Sequence, residues 1–445
     1  MTESTSQWAI IADDLTGACD TGAVFAQRGF LTVVLPNLRA AVPRNAQVVV
    51  LSTNSRNDSI REARQKVRQW CRRLATVGAR ILYKKIDSTL KGHVPAEIES
   101  VMQTAGFSRV VVCPAFPAQG RVVLRGVLFV RGQPLADLSR RFHSLRRLRI
   151  ARVVRPISAV KIIQRLRRDS VCVIPDATTN QDLCRLVKAA KNAGEPVLLV
   201  GSAGMARHLA ETLRNSQRNV GPRQRLGARQ SSAAFDPRAT SKSTTGLAHS
   251  KTWRSKAGSR EDIVEWRASP EHRAARRAML RALKPNASPL IFAGSRNAVT
   301  EAQIECLVRR RQALVRSLDA LNAAGLDALR AQGPPGVLRV PMHQLPVARL
   351  TRRLASLDDL FSRQQIHSLV LIGGDTAGLI TRWLGAKAIE LRGEIAPGIP
   401  WGHLCGGKAD GIVVCTKAGG FGEANTLIQV VDFLSPRSQN AAIAD

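Results

Sequence analysis

Short apolar runs alternate with amphipathic stretches in this chain, and this alternation limits the fold more than any other feature of the sequence. In the first part of the chain, the predicted strands are 8–12, 31–35, 47–52, 80–83 and 109–113. The helical patterns between them are 17–29, 58–77 and 95–105. Strands that alternate with helices are typical of a mostly parallel sheet covered by helices.

The same alternation resumes in two later parts of the chain. Further strand-like runs are 171–175, 196–200, 289–294, 368–372 and 411–415. The 445 residues suffice for two or three domains of ordinary size. We therefore predict an α/β protein of two domains, each a mostly parallel sheet flanked by helices. The predicted boundaries are 1–213 and 286–445, with a linker at 214–285.

Basic residues are concentrated in two stretches, which together carry half of the formal net charge of +34. Residues 138–155 contain seven arginines and no acid, and residues 214–260 contain eleven Lys/Arg and the single acid Asp236. Aromatic side chains for base stacking are nearly absent from both. The composition favours solvated or disordered segments over an RNA-binding arm. A shifted reading frame is a further interpretation of such Arg- and Ser-rich sequence.

Other features predict a protein of the cytoplasm. No apolar stretch approaches the ~18 residues of a membrane span, and no basic region precedes an apolar core at the N-terminus. The eight cysteines are scattered, without a C-x-x-C pair. This pattern favours reduced thiols over disulfides or a zinc site.

The stretch ADDLTG (12–17) places two adjacent carboxylates, Asp13 and Asp14, at a strand-to-helix junction. In open α/β sheets, ligands bind at the carboxyl ends of the strands. A helix cap accounts for one acid, on Asp14 or Thr16, but leaves the other unexplained. The pair is therefore a candidate for catalysis.

Two further strand ends in the first part carry polar groups. YKKIDSTLKG (83–92) offers Lys85, Asp87 and Ser88, and Lys84 and Lys85 should face opposite ways. CPAFPAQGR (113–121) offers Arg121, whose guanidinium can bind a carboxylate through two hydrogen bonds. A lysine beside hydroxyls and an acid suits an anionic polyol, and the alternative is a strand end with a helix cap.

Three glycine-rich strand exits follow in the second part: Ser295 in IFAGSR, Gly373–Thr376 in GGDT, and Gly419 with Gly420 in KAGGFG. Glycines let backbone N–H groups approach a phosphate, and a helix N-terminus favours its charge. Asp375 could bind Mg²⁺, which uses one or two carboxylates plus phosphate oxygens. Converging exits predict one phosphate site, where valine at Gly374 or Gly420 should raise the KM for ATP.

One motif match is rejected. GHLCGGKA (402–409) fits G-x-x-x-x-G-K, but Ala409 stands where a phosphate-binding P-loop needs Ser or Thr. No G-x-G-x-x-G for a dinucleotide is present either. A nucleotide must be bound in another way.

Taken together, ADDLTGA, KKIDSTL, AFPAQGR, GSAG, GGDTA and KAGGFG resemble the four-carbon acid sugar kinase family, in the order found there. The likeness covers residues 8–136, weakly 160–213, and again 288–435. Lys91 and His93 depart from it, since the family has Arg and Asn there. The resemblance implies a sugar-acid-binding N-terminal domain and a nucleotide-binding C-terminal domain.

By this resemblance, the sugar acid is contacted by Asp13, Asp14, Lys85, Asp87, Ser88 and Arg121. ATP is contacted by Ser295, Gly373, Gly374, Asp375, Thr376, Gly419 and Gly420. The implied activity is ATP- and Mg²⁺-dependent phosphorylation of the terminal hydroxyl of threonate, erythronate or 3-oxo-tetronate. The alternatives are a non-catalytic relative whose basic insertions bind nucleic acid, or another phosphate-ligand enzyme such as a phosphatase. Both a monomer and a homodimer stay open.

Overall fold

A computed structural model describes residues 7–145, 148–154, 158–227, 288–330, 333–342, 344–362 and 365–435. Its strands are β1 (Trp8–Ala12), β2 (Thr32–Leu35), β3 (Val48–Ser52), β4 (Arg80–Lys85), β5 (Arg109–Cys113), β6 (Arg121–Leu124), β7 (Val127–Val130), β8 (Gln133–Asp137), β9 (Arg149–Val153), β10 (Val171–Pro175), β11 (Val197–Gly201), β12 (Leu290–Ala293), β13 (Leu314–Ser317), β14 (Gly336–Arg339), β15 (Ser368–Ile372), β16 (Ala388–Ala396), β17 (Ile399–Cys405) and β18 (Val413–Lys417). Its helices are α1 (Leu15–Ala26), α2 (Ile60–Thr76), α3 (Val94–Ala105), α4 (Leu138–Phe142), α5 (Ala159–Leu166), α6 (Asn180–Lys191), α7 (Ala203–Gly227), α8 (Ala298–Arg311), α9 (Ala323–Arg330), α10 (Val347–Ala355), α11 (Asp358–Ser362), α12 (Gly374–Trp383) and α13 (Thr426–Leu434).

Within this described part, fifteen strands form one sheet in the order β13-β14-β12-β15-β18-β17-β16-β2-β3-β1-β4-β11-β5-β10-β9. Every pairing is parallel except those of β16 and β17, which form an antiparallel hairpin between β18 and β2. The remaining strands, β6 to β8, form a small antiparallel sheet. The predicted α/β class with a mostly parallel sheet is confirmed. The sequence patterns did not indicate this hairpin. It joins the strands of residues 7–227, the first half of the chain, to those of residues 288–435, the second half.

The central strands are apolar along their whole length because helices cover both faces of the sheet. All five residues of β3, β5 and β15 are buried. Helix α1 packs closely against β3 and β16 because its residues at the contact are small. A Cβ on Gly22 would come within 2.6 Å of Leu391 on β16 and 3.0 Å of Val50 on β3. Helix α1 is therefore held between β3 and the hairpin, and its N-terminus points to the carboxyl edge of the sheet.

The first basic stretch is folded where the structure describes it, which corrects the expectation of a solvated segment at 138–155. Residues 138–142 form α4, and residues 149–153 form β9, which pairs with β10 in parallel. Leu138 and Phe142 are fully buried, since the arginines lie between apolar positions rather than in place of them. The number of arginines in 138–155 gives no information about this amphipathic pattern, which depends on their positions.

Helix α7 continues past residue 213 to Gly227, into the stretch predicted as a linker. Arg214 lies with its guanidinium 5.9 Å from the ring centroid of Phe30. The rest of the predicted linker, 228–285, lies outside the described residues, and so do the predictions made for it. No helix in the described ranges is long and apolar enough to cross a membrane.

Candidate functional site

The carboxyl ends of β3, β1 and β4 lie side by side, because these strands are parallel neighbours. The polar residues that follow them therefore share one edge of the sheet. Three are carboxylates, Asp13, Asp14 and Asp87, and one is a guanidinium, Arg56. The amide of Ser55 donates to the Asp13 carbonyl at 3.0 Å, which joins the first two loops.

Asp14 caps helix α1. Its Oδ1 accepts a hydrogen bond from the Gly17 amide at 2.8 Å. Its Oδ2 accepts from the Thr16 hydroxyl at 2.8 Å and forms an ion pair with Nη1 of Arg56, also at 2.8 Å. Both carboxylate oxygens of Asp14 are therefore engaged within the protein.

Asp13 differs in that one of its oxygens has no partner. Its Oδ2 accepts from Nε and Nη2 of Arg56, each at 2.9 Å. Its Oδ1 is buried and meets no hydrogen-bond donor among the residues that the structure describes. A buried acceptor without a donor costs free energy, and a ligand hydroxyl would supply the donor. Asp13 is thus the acid of this pair with an unused acceptor.

Arg56 also belongs to this cluster, although it lies outside the motifs ADDLTGA, KKIDSTL and AFPAQGR. Its side chain is 19% exposed, and its Nη1 lies 3.4 Å from Oδ2 of Asp87. Burial alone would lower the pKa of Arg56, but the charges of Asp13, Asp14 and Asp87 raise that pKa above its ordinary value. Arg56 follows the predicted strand 47–52, so the strand-end reasoning applied to ADDLTG also applies to STNSRN (52–57).

The two lysines of β4 point to opposite faces of the sheet. Lys84 is fully buried, and its Nζ lies 2.7 Å from Oε2 of Glu97 in an ion pair of the core. Lys85 donates to the Ile86 carbonyl at 3.0 Å. Its Nζ also lies 2.9 Å from the point that a Cβ on Gly17 would occupy. Lys85 therefore lies on the side of α1 and the acids, whereas Lys84 is structural.

Asp87 and Ser88 continue this edge. Asp87 Oδ1 accepts from the Thr89 amide at 2.8 Å and from the Thr89 hydroxyl. Burial would raise the pKa of Asp87, but Arg56, Thr89 and Lys85 together lower it below its ordinary value. Ser88 is buried beside it. Asp87 is thus held as a carboxylate next to two cations.

Arg121 lies where the first half meets the second. It is buried, its Nη1 donates to the Gln119 carbonyl at 2.8 Å, and its guanidinium lies 4.8 Å from the ring centroid of Phe421. Burial lowers the pKa of Arg121, which the charge of Asp87 partly offsets. The Gln119 side chain donates to the Pro397 carbonyl at 2.9 Å, at the tip of the β16–β17 hairpin. The loop AFPAQGR therefore contacts both the hairpin and KAGGFG.

The three glycine-rich exits of the second half also converge. The Gly373 amide donates to the Lys417 carbonyl at 2.9 Å, and the Thr300 hydroxyl donates to the Gly419 carbonyl at 2.8 Å. A Cβ on Gly419 would overlap Oγ of Ser295 and come within 2.8 Å of its Cβ. GGDT, KAGGFG and Ser295 thus lie together at the ends of β12, β15 and β18.

Lys417 is held within this glycine-rich group. It is fully buried, and its Nζ donates to the carbonyls of Ala418 at 3.0 Å and Gly419 at 3.2 Å. Burial lowers the pKa of Lys417 to about 7. Lys417 therefore fixes the loop from within, with its ammonium turned to the carbonyls.

GGDT lies directly against the acids of the first half. A Cβ on Gly374 would overlap Oδ2 of Asp14 and come within 2.9 Å of its Cγ. The Asn57 amide donates to Oδ2 of Asp375 at 2.8 Å. The two sets of strand ends therefore meet at one junction, here called the cleft.

The donor set of the cleft has consequences for a metal ion. Among the described residues, no three His, Cys, Asp or Glu side chains lie close enough together to hold a metal by themselves. Asp375 is an exposed carboxylate in the first turn of α12, beside the glycines of GGDT. One carboxylate beside a glycine-rich helix start fits Mg²⁺ only together with a bound phosphate, because Mg²⁺ takes most of its remaining ligands from phosphate and water.

The rejected P-loop match is an antiparallel strand. Residues 399–405 form β17 of the hairpin, and Lys408 donates to Oδ1 of Asp358 at 2.6 Å. No strand–loop–helix unit is present at this position.

Comparison with known proteins agrees with this geometry. A family model described as a sugar-binding N-terminal domain matches residues 8–159 and 138–209. A model described as a nucleotide-binding C-terminal domain matches residues 339–427. A D-threonate kinase from Cupriavidus necator is 31% identical, over 94% of this chain and 96% of that protein. The chain belongs to the four-carbon acid sugar kinase family.

Other members of the four-carbon acid sugar kinase family match along nearly the whole chain. A D-threonate kinase from Bordetella bronchiseptica is 29% identical over 96% of this chain and 97% of its own length. A 3-oxo-tetronate kinase from Pseudomonas fluorescens is 25% identical over 93% of both chains. The crystal structure of a Haemophilus influenzae protein, 19% identical, has the same fold, with a TM-score of 0.60 over 95% of this chain and 98% of that one. This family member is accordingly a carbohydrate kinase.

Proposed function

We propose that this kinase transfers the γ-phosphoryl group of ATP to the terminal (4-) hydroxyl of a four-carbon sugar acid such as threonate, erythronate or 3-oxo-tetronate. The contact between Gly374 and Asp14 carries the proposal. It brings the glycine-rich helix start of the second half against the acid pair of the first. A phosphate at α12 would therefore meet a hydroxyl held at Asp13.

Residues 1–213 bind the sugar acid in this proposal. Lys85 and Arg121 hold its carboxylate. Asp87 accepts hydrogen bonds from its hydroxyls, and the Ser88 hydroxyl can either donate to them or accept from them. Asp87 and Arg56 also fix the orientation of the acid pair through their ion pair at 3.4 Å. Guanidinium and carboxylate groups recognise such a polyol by charge-assisted hydrogen bonds.

Residues 286–445 bind ATP. The N–H groups of Gly373–Thr376 at the start of α12, with Gly419, Gly420 and Ser295, surround the phosphates. A helix N-terminus favours the negative charge there. When bound, Mg²⁺ on Asp375 would neutralise phosphate charge, as metal ions do in other kinases.

Asp13 takes the hydroxyl role rather than Asp14. Oδ1 of Asp13 has no donor among the described residues, whereas both oxygens of Asp14 are engaged. Asp13 orients the attacking hydroxyl and accepts its proton, and Asp14 holds the helix start against GGDT. Phosphoryl transfer depends mainly on such positioning and on charge stabilisation.

Asp13→Asn is accordingly expected to lower kcat by roughly 10²–10⁴-fold, which is the usual contribution of general base catalysis. Asp14→Asn keeps the cap, since Asn caps a helix about as well as Asp. It removes the charge that pairs with Arg56, so its main effect should be a loss of about 1–3 kcal/mol in the free energy of unfolding. Steady-state kinetics and urea unfolding of both variants test this. Full activity in Asp13→Asn would refute the assignment.

The proposed reaction is tested by measuring ADP release with ATP, Mg²⁺ and each enantiomer of threonate and erythronate, or 3-oxo-tetronate. Tartrate is the matched control, because a carboxylate replaces its terminal hydroxymethyl group. We expect acid-dependent ADP release with at least one of the first group and none with tartrate. Release no faster than ATP hydrolysis in water with every acid would contradict the proposal.

A further inference from the structure

Asp20 is a buried carboxylate that the roles above do not use. It lies on α1 one turn after Gly17, so both face the same side of the helix. Asp20 is only 4% exposed, and its Oδ1 accepts no hydrogen bond from any residue that the structure describes. Leaving a buried carboxylate oxygen unpaired is costly, which indicates a missing donor.

The surroundings of Asp20 are those of the proposed carboxylate-binding end of the cleft. Gly17, on the same face of α1, is adjacent to Nζ of Lys85. Oδ1 of Asp20 lies 3.6 Å from the point that a Cβ on Gly398 would occupy, and that point is 2.5 Å from the Phe421 ring. Phe421 is in turn covered by Arg121. Asp20 therefore lies close to residues that contact Lys85 and Arg121, the two cations proposed to hold the carboxylate of the sugar acid.

Asp20 is distant from the phosphoryl end of the cleft. Asp20 is six positions after Asp14, and six positions span about 9 Å along a helix axis. Asp14 contacts GGDT, whereas Asp20 faces the hairpin tip. A role in accepting the proton of the reacting hydroxyl therefore belongs to Asp13 rather than to Asp20.

Neighbouring charges do not satisfy Asp20 either. Arg207 on α7 is paired with Glu394 of β16 at 2.6 Å, and the Glu394 side chain is 3% exposed. Burial raises the pKa of Asp20 to about 7, and the charges that also act on it are those of Lys85, Glu394, Arg207 and Asp14. A donor from a ligand would stabilise its ionised form.

The chemistry of the substrate class identifies that donor. A four-carbon sugar acid has hydrogen-bond donors only in its hydroxyl groups, because its carboxylate only accepts. We infer that Asp20 accepts a hydrogen bond from a hydroxyl that is not phosphorylated, at C2 or C3, and so selects acids that carry this hydroxyl. The inference rests on the proposed function, since it names a specificity residue of the same site.

Four-carbon acids that lack one hydroxyl test the inference. The wild-type enzyme is compared on the parent acid, its 2-deoxy analogue and its 3-deoxy analogue, and so are Asp20→Ala and Asp20→Asn. We expect one deoxy analogue to lose about 10²-fold in kcat/KM with the wild type, as for an acceptor left unpaired. With Asp20→Ala, the same analogue should lose less than about threefold relative to the parent acid.

Asp182→Asn is the matched control, because Asp182 is equally buried but caps α6. Its selectivity should equal that of the wild type. Asp20→Asn keeps the side-chain shape, so its thermal unfolding distinguishes lost specificity from a misfolded variant. Equal deoxy penalties in the wild type and both Asp20 variants would overturn the inference.

Calorimetric binding of the acids without nucleotide separates this inference from the proposed function. If the acids bind with the expected Asp20-dependent penalty but no ADP is released, the proposed reaction fails and the contact stands. If ADP is released and the penalty does not depend on Asp20, the contact fails and the reaction stands.

Discussion

Arg56→Met is expected to lower kcat/KM for the sugar acid by at least about 10³-fold and to destabilise the fold. The guanidinium holds Asp13 and Asp14 at 2.8–2.9 Å and Asp87 at 3.4 Å. Without it, three carboxylates face one another with no counter-charge. Removing one partner of a buried ion pair costs about 3–5 kcal/mol in the free energy of unfolding.

Arg56→Lys should recover only part of this activity, since an ammonium cannot bind two carboxylates through a planar fork. Arg311→Met is the control, because Arg311 pairs with Asp432 on the surface, and its loss should cost under about 1 kcal/mol. Kinetics and urea unfolding measure both effects. If Arg56→Met keeps kcat/KM within tenfold of the wild type, the acid cluster is not the reaction centre.

The pH dependence of stability should change in the same variant. The pKa of Asp87 is lowered in the folded protein, with Arg56 among the causes. It therefore contributes stability above its unfolded pKa of about 3.9, and this contribution is lost as the pH falls through the lower folded value. In Arg56→Met, burial should raise the folded pKa of Asp87, so the loss of stability that Asp87 causes with falling pH should become smaller or reverse.

Gly374→Ala is expected to lower kcat/KM by about 10²-fold or more for both ATP and the sugar acid. The added Cβ would overlap the Asp14 carboxylate, so α12 and the start of α1 must separate. A misplacement of about 1 Å between reacting groups can cost 10²-fold. For valine at this position the sequence predicts a much larger rise in the KM for ATP than in the KM for the sugar acid, because it does not reveal that Gly374 touches the other half.

Gly420→Ala is the matched variant. Its Cβ would meet only Asn297 Nδ2, at 3.4 Å, so the protein itself accommodates the change. The KM for ATP should rise while the KM for the sugar acid stays the same. If both variants affect the two substrates alike, GGDT does not join the two sites.

The strand-end rule predicted much of the cleft from the sequence. It selected Asp13, Lys85 and Arg121 in the first half and the glycine-rich loops in the second. It could have selected Arg56 as well, since strand 47–52 was predicted, but arginine is common on surfaces and its three partners are distant in sequence. The sequence pattern could not show that Oδ1 of Asp13 lacks a donor, because this depends on how the side chains pack.

Other features needed tertiary information. The sequence does not indicate the β16–β17 hairpin because charged residues, glycine and proline interrupt the apolar pattern of its strands, and its partners β2 and β18 belong to different halves. The sequence predicts a solvated segment at 138–155 because seven arginines and no acid stand there, although Leu138 and Phe142 suffice to anchor it. The sequence does not single out Asp20, because one charged residue in a helix of mostly small and apolar residues gives no periodic signal.

The most direct test of a terminal-hydroxyl kinase is the phosphorus NMR spectrum of the product made from ATP and the best acid substrate. Phosphate on C4 couples to two protons and gives a triplet, whereas phosphate on C2 or C3 couples to one proton and gives a doublet. The cleft described above predicts a new triplet that grows as ADP accumulates and is absent with Asp13→Asn. A doublet in the phosphomonoester region, or free phosphate as the only new signal besides those of ADP, would contradict it.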